Sequence, residues 1–569
     1  MNEIVKNISQ EIEEKEQEFL TQFIDAPISL RCGQWLCYEG GVYRLVEQKG
    51  SDEPKRVYAA YQRILITGII EDIETNMVKY ILSFSVPCST GYRWKNIDVD
   101  ASMCSTKRNI VKLADIGVEV NDGTAAELVR YLSDQIRLNR DLIPRYSSVS
   151  HMGWINGMFF PFDNSIRFSG ENAERKIVDA IQMQKGFKED WIQIAEEARK
   201  NFDVRMILDA SLASVLIKLI NAQSFVMHIW GKSGCGKTVL LYLAASIWGK
   251  PVVACTTANS TINALSSRAA LHKNIPLLVD EMQLATQNQD KMIYQLSEGC
   301  EKERLGKDSK KKEQKEWQLI SITNGERPLL LDGSGAGAVN RLIELEVKDQ
   351  LFNDFQKVIR LTEVNYGHAG RIFVEYCKRI KPSKLREEYE EICKELQDFS
   401  STGKQINNVA ILILADRIAG RCLFKKEDAL SIEQVALIMK DAKEVSSAYR
   451  AQEFILNWIA MNRNHFIDTD DQYPGGQLFG KIEDSYCWVN GKTLKDALTE
   501  AGFNFDSVKK EWVRDCFLIK SSDKKYMHNT TIKSVKARYV KLDMDKRDKD
   551  GFYQQENLPF CENVGNAWD

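Results

Sequence analysis

The chain has 569 residues, 28% charged and 44% hydrophobic, with a formal net charge of -3. At roughly 100 to 200 residues per domain that length predicts about three to five domains, and the near-balanced charge excludes a globally basic nucleic-acid coat, so any nucleic-acid contact has to be local. The longest apolar runs, such as "VAILILA" at 409–415, fall short of the roughly 18 residues a membrane span needs, which excludes a membrane partner from the expected set.

Residues 1–27 read as an amino-terminal helix, with Ile4, Ile8, Ile12 and Phe19 at near-helical spacing. This acidic, amphipathic start has no apolar signal core, so a cytoplasmic protein is expected. Thirteen cysteines run from Cys32 to Cys561 without a CxxC pair, the usage of reduced thiols rather than of a disulfide framework or a zinc site. Residues 28–145 are expected to form a β-rich domain, from short runs such as "RVYAAYQRILITGII" broken by Gly, Asp and Pro. A connector at 146–200 carries the small β patch "GWINGMFFPF".

Residues 201–350 alternate apolar strand-like runs with helices, the pattern of a mostly parallel α/β sheet. Here "WGKSGCGKTVLL" places Gly231, Gly236, Lys237 and Thr238 in the G-x-x-x-x-G-K-[ST] pattern, after the apolar run "SFVMHIW" and before a helix. Such glycines let backbone N–H groups curl around a phosphate at a helix amino terminus. Lys237 then supplies charge to the β and γ phosphates of ATP, and the Thr238 hydroxyl ligates Mg²⁺. Lys232, Ser233, Gly234 and Cys235 complete the loop, Cys235 reading as a tolerated small residue.

The next apolar strand, "IPLLVDE", ends in Asp280 and Glu281. After a phosphate loop, Asp280 is expected to hold the Mg²⁺ water shell and Glu281 to polarise the attacking water, a pairing that favours hydrolysis over phosphoryl transfer. A third strand, "WQLISITN", ends at Asn324, where AAA+ ATPases place a water-orienting sensor; the plain alternative is a strand-ending Asn. "LDGSGAGAVNR" delivers Arg341 ahead of another strand, the place of an arginine finger reaching a neighbouring subunit. Arg327 competes for that role, Arg417 and Arg421 are candidates for a second sensor, and a surface salt bridge is the bland reading of each.

Between the acidic and sensor strands lies "ERLGKDSKKKEQKEW". A solvated loop is the ordinary meaning of such a run, but an insertion before the sensor strand of a ring ATPase projects into the central channel. Lys307, Lys310, Lys311 and Lys312 are therefore expected to track DNA. Residues 351–450 read as a helical lid. Residues 451–545 read as a winged-helix-like domain with Lys509, Lys510 and Arg514 on its second helix and Lys524 and Lys525 on the wing. DNA binding and protein contact are both open for it. Residues 546–569 read as a loose tail.

"HIWGKSGCGKTVLLYLAASIWGKP", "TTANSTINALSSRAALHKNIPLLVDEM" and "NYGHAGRIFVEYC" resemble the DUF927 ATPases of bacteriophages and mobile elements. With the winged-helix-like segment the chain is similar to the cassette chromosome helicases of staphylococcal mobile elements. The resemblance implies a multidomain α/β protein with an AAA+ P-loop core, acting as a hexameric helicase related to the MCM and superfamily III helicases. It implies ATP and Mg²⁺ as cofactors, and as partners DNA, further copies of the chain and element-encoded replication proteins. It assigns Lys237 and Thr238 to nucleotide and metal, Asp280 and Glu281 to hydrolysis, Asn324 to sensing and the lysines after Gly306 to a channel hairpin. A replication initiator or helicase loader that binds DNA without unwinding it is the alternative.

Overall fold

The computed structural model describes residues 23, 25–48, 53–89, 91–258, 261–284, 289–301, 314–399, 401–426, 428–467, 476–523, 525–533 and 535–547. The expected amino-terminal helix and Lys307, Lys310, Lys311, Lys312 and Lys524 lie outside them, as does the tail from 548. Among the described residues no helix is long and apolar enough to cross a membrane.

The first part of the chain is built from two sheets. Strands β1 (Leu36–Tyr38), β2 (Gly41–Val46) and β3 (Lys55–Ala60) form an antiparallel three-stranded sheet. Strands β4 (Ile64–Asp72), β5 (Val78–Cys88) and β6 (Gly91–Asp100) form the antiparallel side of a five-stranded sheet. Its other side is β7 (Arg145–Val149) and β10 (Arg167–Phe168), which run parallel to β4. The segment expected as a connector from 146 thus supplies part of this sheet; parallel pairing across some 75 residues leaves no hairpin signal in the sequence. Helix α1 (Ala125–Leu138) covers the core with Leu128, Tyr131, Leu132 and Gln135, spaced to share one face.

The small hairpin β8 (Gly153–Ile155) and β9 (Met158–Phe160) joins this region to the next. Asn274 receives the Trp154 N–H on its side-chain oxygen at 2.9 Å and the Ser214 hydroxyl on its carbonyl at 2.8 Å. Gly153, at φ +102, leaves no room for a side chain beside Asn274.

The central sheet has the order β12-β13-β14-β11-β15, all parallel: β11 is Phe225–Gly231, β12 Cys255–Thr257, β13 Leu277–Asp280, β14 Ile320–Gly325 and β15 Leu342–Val347. Every residue of β14 is buried, as expected of a parallel strand covered on both faces. Helices α2 (Lys188–Ala198), α3 (Phe202–Ala213) and α4 (Lys237–Ser246) pack around it; the last leaves the phosphate loop, and α5 (Gln289–Glu298) follows β13.

Helices α6 (Phe355–Val364), α7 (Pro382–Leu396) and α8 (Gly403–Ala419) follow β15. Helix α8 is apolar and buried nearly all round, and it is pinned to α3 by one buried carboxylate. Asp416 accepts from Arg205 at 2.8 Å on both oxygens and from Arg199 at 2.5 Å. Burial beside Asp416 pushes the Asp209 carboxyl well above the usual carboxylate range.

The carboxy-terminal part holds α9 (Ser447–Met461), α10 (Gly491–Glu500) and α11 (Phe505–Arg514) against a sheet of order β16-β17-β18-β21-β19: Phe466–Ile467, Gly480–Glu483, Tyr486–Asn490, Val535–Asp543 and Leu518–Ile519. β20 (His528–Ile532) pairs with β21 as the wing. Its turn between α10 and α11 meets the Leu331–Gly335 loop of the central region. A Cβ on Gly333 would fall 2.4 Å from the Ala501 carbonyl oxygen and 2.6 Å from the Gly502 Cα. Arg450 of α9 grips the same loop through the carbonyls of Asp332, at 2.6 Å, and Ser334.

Candidate nucleotide site

Strand β11 ends at Gly231 and α4 begins at Lys237, so the intervening loop turns at the carboxyl edge of the sheet. Two glycines are required there. Gly231 passes so close to β15 that a Cβ would lie 2.5 Å from the Val347 carbonyl oxygen, and Gly236 caps α4 at φ +99 against the Phe352 ring. Lys237 Nζ donates to the carbonyls of Gly231 at 2.8 Å and Lys232 at 2.7 Å, and reaches Cys235 Sγ at 3.5 Å. Cys235 is therefore more than a tolerated small residue: its thiol is buried against the lysine, and its carbonyl accepts the Leu351 N–H at 3.1 Å, tying the loop to the chain after β15.

Thr238 Oγ1 donates to Asp280 Oδ1 at 3.1 Å. A hydroxyl and a carboxylate facing one cavity are the hard oxygen donors that suit Mg²⁺, so the residues fit the metal the motif implies. Glu281, next in the chain, holds a left-handed backbone at φ +57, which costs about 1–3 kcal/mol for a non-glycine residue. Its N–H donates to Asn324 Oδ1 at 2.7 Å and Asp280 Oδ1 at 3.1 Å. The buried Asn324 at the tip of β14 thus fixes the backbone that aims Glu281.

These groups line one open cavity of about 310 Å³, together with Ser233, Gly234, Gly325, Glu326, Phe355 and Ile359. The last two come from α6, which carries no sequence motif. Beneath the loop His228 is buried on β11, its ring bonded to Thr323 Oγ1 at 2.8 Å and the Arg327 carbonyl at 3.0 Å, and burial lowers its pKa to about 4. Arg327 itself is exposed beyond β14 on this same edge.

Arg341 lies at the opposite edge. It precedes β15, whose six residues at about 3.3 Å each put roughly 20 Å between it and the loop. Its guanidinium donates to the Gly337 carbonyl at 3.0 Å and sits 4.9 Å from the Tyr294 ring centre. It shares a cavity of about 330 Å³ with Arg386 and Lys404, and none of the described residues lining it is a carboxylate; Glu390 answers Arg386 from outside at 3.2 Å. The first turns of α8 hold this corner: Gln405 donates to the carbonyls of Val339 and Leu342, and Asn408 to that of Asn340. Arg386 and Lys404 stand in no sequence motif. The second-sensor candidates Arg417 and Arg421 are engaged by Glu395 at 3.6 Å and Glu388 at 2.6 Å, and neither lines either cavity.

On α11, Lys510 and Arg514 are exposed, the latter paired with Asp515 at 3.0 Å. Lys509 is half-buried, bonded to Asp506 and 5.0 Å from the Tyr526 ring centre, so it is less free than its neighbours.

Fold and site together define a multidomain α/β protein whose central parallel sheet carries a glycine loop of the phosphate-binding pattern. Residues 35–316 match the family model of DUF927, a domain of unknown function, and residues 446–547 match the Cch helix turn helix domain. The chain thus carries a DUF927 domain and a helix-turn-helix domain of the Cch type. Among solved structures it is similar to one titled "SCCmec type IV Cch - active helicase", with TM-score 0.64 and 16% identity over 92% of this chain and 99% of that one. A match to the apo NrS-1 C-terminal region has TM-score 0.28 and 11% identity, over 84% and 95%. No curated protein matches the chain.

Proposed function

We propose that this chain is a ring-forming AAA+ ATPase that couples ATP hydrolysis to movement on DNA and strand separation, in replication of a mobile element. The observation that carries the reading is the convergence of Lys237, Thr238, Asp280, Glu281 and Asn324 at the carboxyl edge of one sheet. The sheet order supports it, since the sensor strand β14 lies between the loop strand β11 and the acidic strand β13, bringing sensor and acid to one phosphate. The likeness along the whole chain to a structure titled an active helicase supports the same reading.

In this reading Lys237 exchanges its loop carbonyls for phosphate oxygens. Glu281, aimed by Asn324, polarises the attacking water. Mg²⁺ at Thr238 and Asp280 supplies neutralisation of phosphate charge when bound. Helices from 351 to 450 act as the lid, α6 closing over the nucleotide with Phe355 and Ile359. Arg341, Arg386 and Lys404 serve the nucleotide of the next subunit, with a hexamer as the expected ring. Residues 300–301 pair antiparallel with 315–316, which supports a hairpin base below Lys307, Lys310, Lys311 and Lys312. Lys510 and Arg514 face the phosphates of duplex DNA.

Fork unwinding by purified protein with ATP tests this. The native chain is expected to separate strands, Lys237→Ala and Glu281→Gln to abolish separation, and Lys310, Lys311 and Lys312 changed together to Ala to keep basal hydrolysis while losing its stimulation by DNA. Hydrolysis and DNA binding without separation by the native chain would replace the helicase by an initiator or loader.

A further inference from the structure

On the surface of the β1–β3 sheet four tyrosines touch one another. Tyr43 and Tyr58 are cross-strand neighbours with ring centres 5.4 Å apart, Tyr38 meets Tyr43 edge-on at 5.4 Å, and Tyr58 stacks on Tyr61 at 4.6 Å and 25°. Tyr38, Tyr43 and Tyr58 are half-buried, and Tyr61 is 56% exposed. An aromatic patch of this extent on a protein surface marks a binding face more often than a packing remnant. Here none of the four rings belongs to the hydrophobic core that the same strands build on their other face.

The charges beside the rings select the partner. The exposed Arg56 holds its guanidinium 5.2 Å from the Tyr43 ring centre, and Lys55 is exposed next to it. The nearby acidic Glu39 lies 3.9 Å from the buried Arg63, whose guanidinium packs 5.0 Å from the ring of the 64% exposed Tyr92. Flat rings bordered by cations match a ligand of flat bases strung on phosphates, and only unpaired bases have free faces to stack.

We propose that this tyrosine–arginine surface is a stacking platform for single-stranded DNA, separate from the phosphate loop and from the helix-turn-helix. It rests on the DNA-acting reading above and adds where a separated strand is held. Stacking is worth enough per base for removal of one or two rings to be measurable, and it depends on bases where simple electrostatic attraction does not.

The test is fluorescence anisotropy of the full-length protein, without nucleotide, on labelled oligothymidylate and on an abasic strand of equal length. The Tyr58→Ala/Tyr61→Ala double variant is expected to bind oligothymidylate about tenfold more weakly and the abasic strand unchanged, with Tyr61→Trp binding as the native chain does. Equal affinity of the double variant and the native chain for oligothymidylate overturns the proposal, as does an equal loss on both strands. Light-induced cross-linking of 5-iododeoxyuridine strands is expected at Tyr58 or Tyr61 in the native chain and equally in Lys237→Ala; cross-links found only elsewhere overturn it. Loss of fork unwinding in the native chain with these cross-links intact counts against the helicase reading alone.

Discussion

At the carboxyl edge of the central sheet the charged groups answer one another within the chain: Lys237 is bonded to loop carbonyls, Thr238 to Asp280, and the Glu281 amide to Asn324. At the amino edge Arg341, Arg386 and Lys404 face a cavity with no carboxylate among the described residues that line it. The first arrangement keeps its shape by itself. The second concentrates positive charge that Glu390 offsets only at Arg386, and a nucleotide held on the carboxyl edge of a second copy would carry an anion to meet the rest. The ring reading proposed above makes the two edges complementary halves of one catalytic unit, divided between copies.

The sharpest way to break this comparison is to remove the amino-edge cations. Arg341→Ala is expected to lower ATP turnover about a thousandfold or more, as loss of an arginine finger does, with nucleotide affinity of the separate subunit unchanged. Arg386→Ala and Lys404→Ala act in the same direction. Mixing Arg341→Ala subunits with Lys237→Ala subunits is expected to restore part of the turnover, because each brings the half the other lacks. Failure of any mixture to recover turnover would place both edges in service of one copy.

A smaller effect tests whether the ion cluster between α3 and α8 belongs with the self-satisfied edge. Asp416→Ala leaves Arg199 and Arg205 without their buried counter-charge, and about 3–5 kcal/mol of stability is expected to go, read by urea unfolding. A loss below about 1 kcal/mol would mean that Asp428, 3.7 Å from Arg199 and 4.0 Å from Arg205, takes over the pairing.

The last effect is one of pH. Burial lowers the pKa of His228 to about 4 and of His272 to about 3, against an unfolded value near 6.5. Both are neutral when folded, so the unfolded chain binds protons first as pH falls. Their contribution is intact above about pH 6.5 and is lost progressively toward pH 4, by up to about 1.4 kcal/mol per unit of pH for each histidine. Thermal melting across that window reads it, and a His228→Asn variant is expected to show a shallower slope. Because His228 underlies the phosphate loop, the carboxyl edge is expected to fail first.

What the sequence made legible follows the range of the forces involved. Gly231 to Thr238, Asp280, Glu281 and Asn324 could be read because each ends an apolar strand, and a strand end is a local pattern. Arg386 and Lys404 could not: Arg386 sits on the charge-rich α7 and Lys404 in the first turn of the apolar α8, and it is the grip of Gln405 and Asn408 on the backbone around Arg341 that brings α8 to that corner. β12 was equally hidden, since "CTT" has no apolar run and is a strand only by pairing with β13. The β7 and β10 strands are hidden too, because β7 pairs with β4, far back in the chain, and the two-residue β10 is a strand only by pairing with β7. The tyrosine surface was visible as residues but not as a surface, because Tyr38, Tyr43, Tyr58 and Tyr61 come from three strands and a loop.

The contact between Gly333 and the α10–α11 turn has a bearing on how such a chain can be reassembled. With backbone against backbone at that seam, a single methyl group on Gly333 acts as a wedge that lifts the carboxy-terminal module off the loop leading to Arg341. A helix-turn-helix exchanged in from another protein would seat only if its own turn were equally bare. The joint is keyed, and recombination between relatives is expected to exchange the module together with its glycine, or to lose the fit.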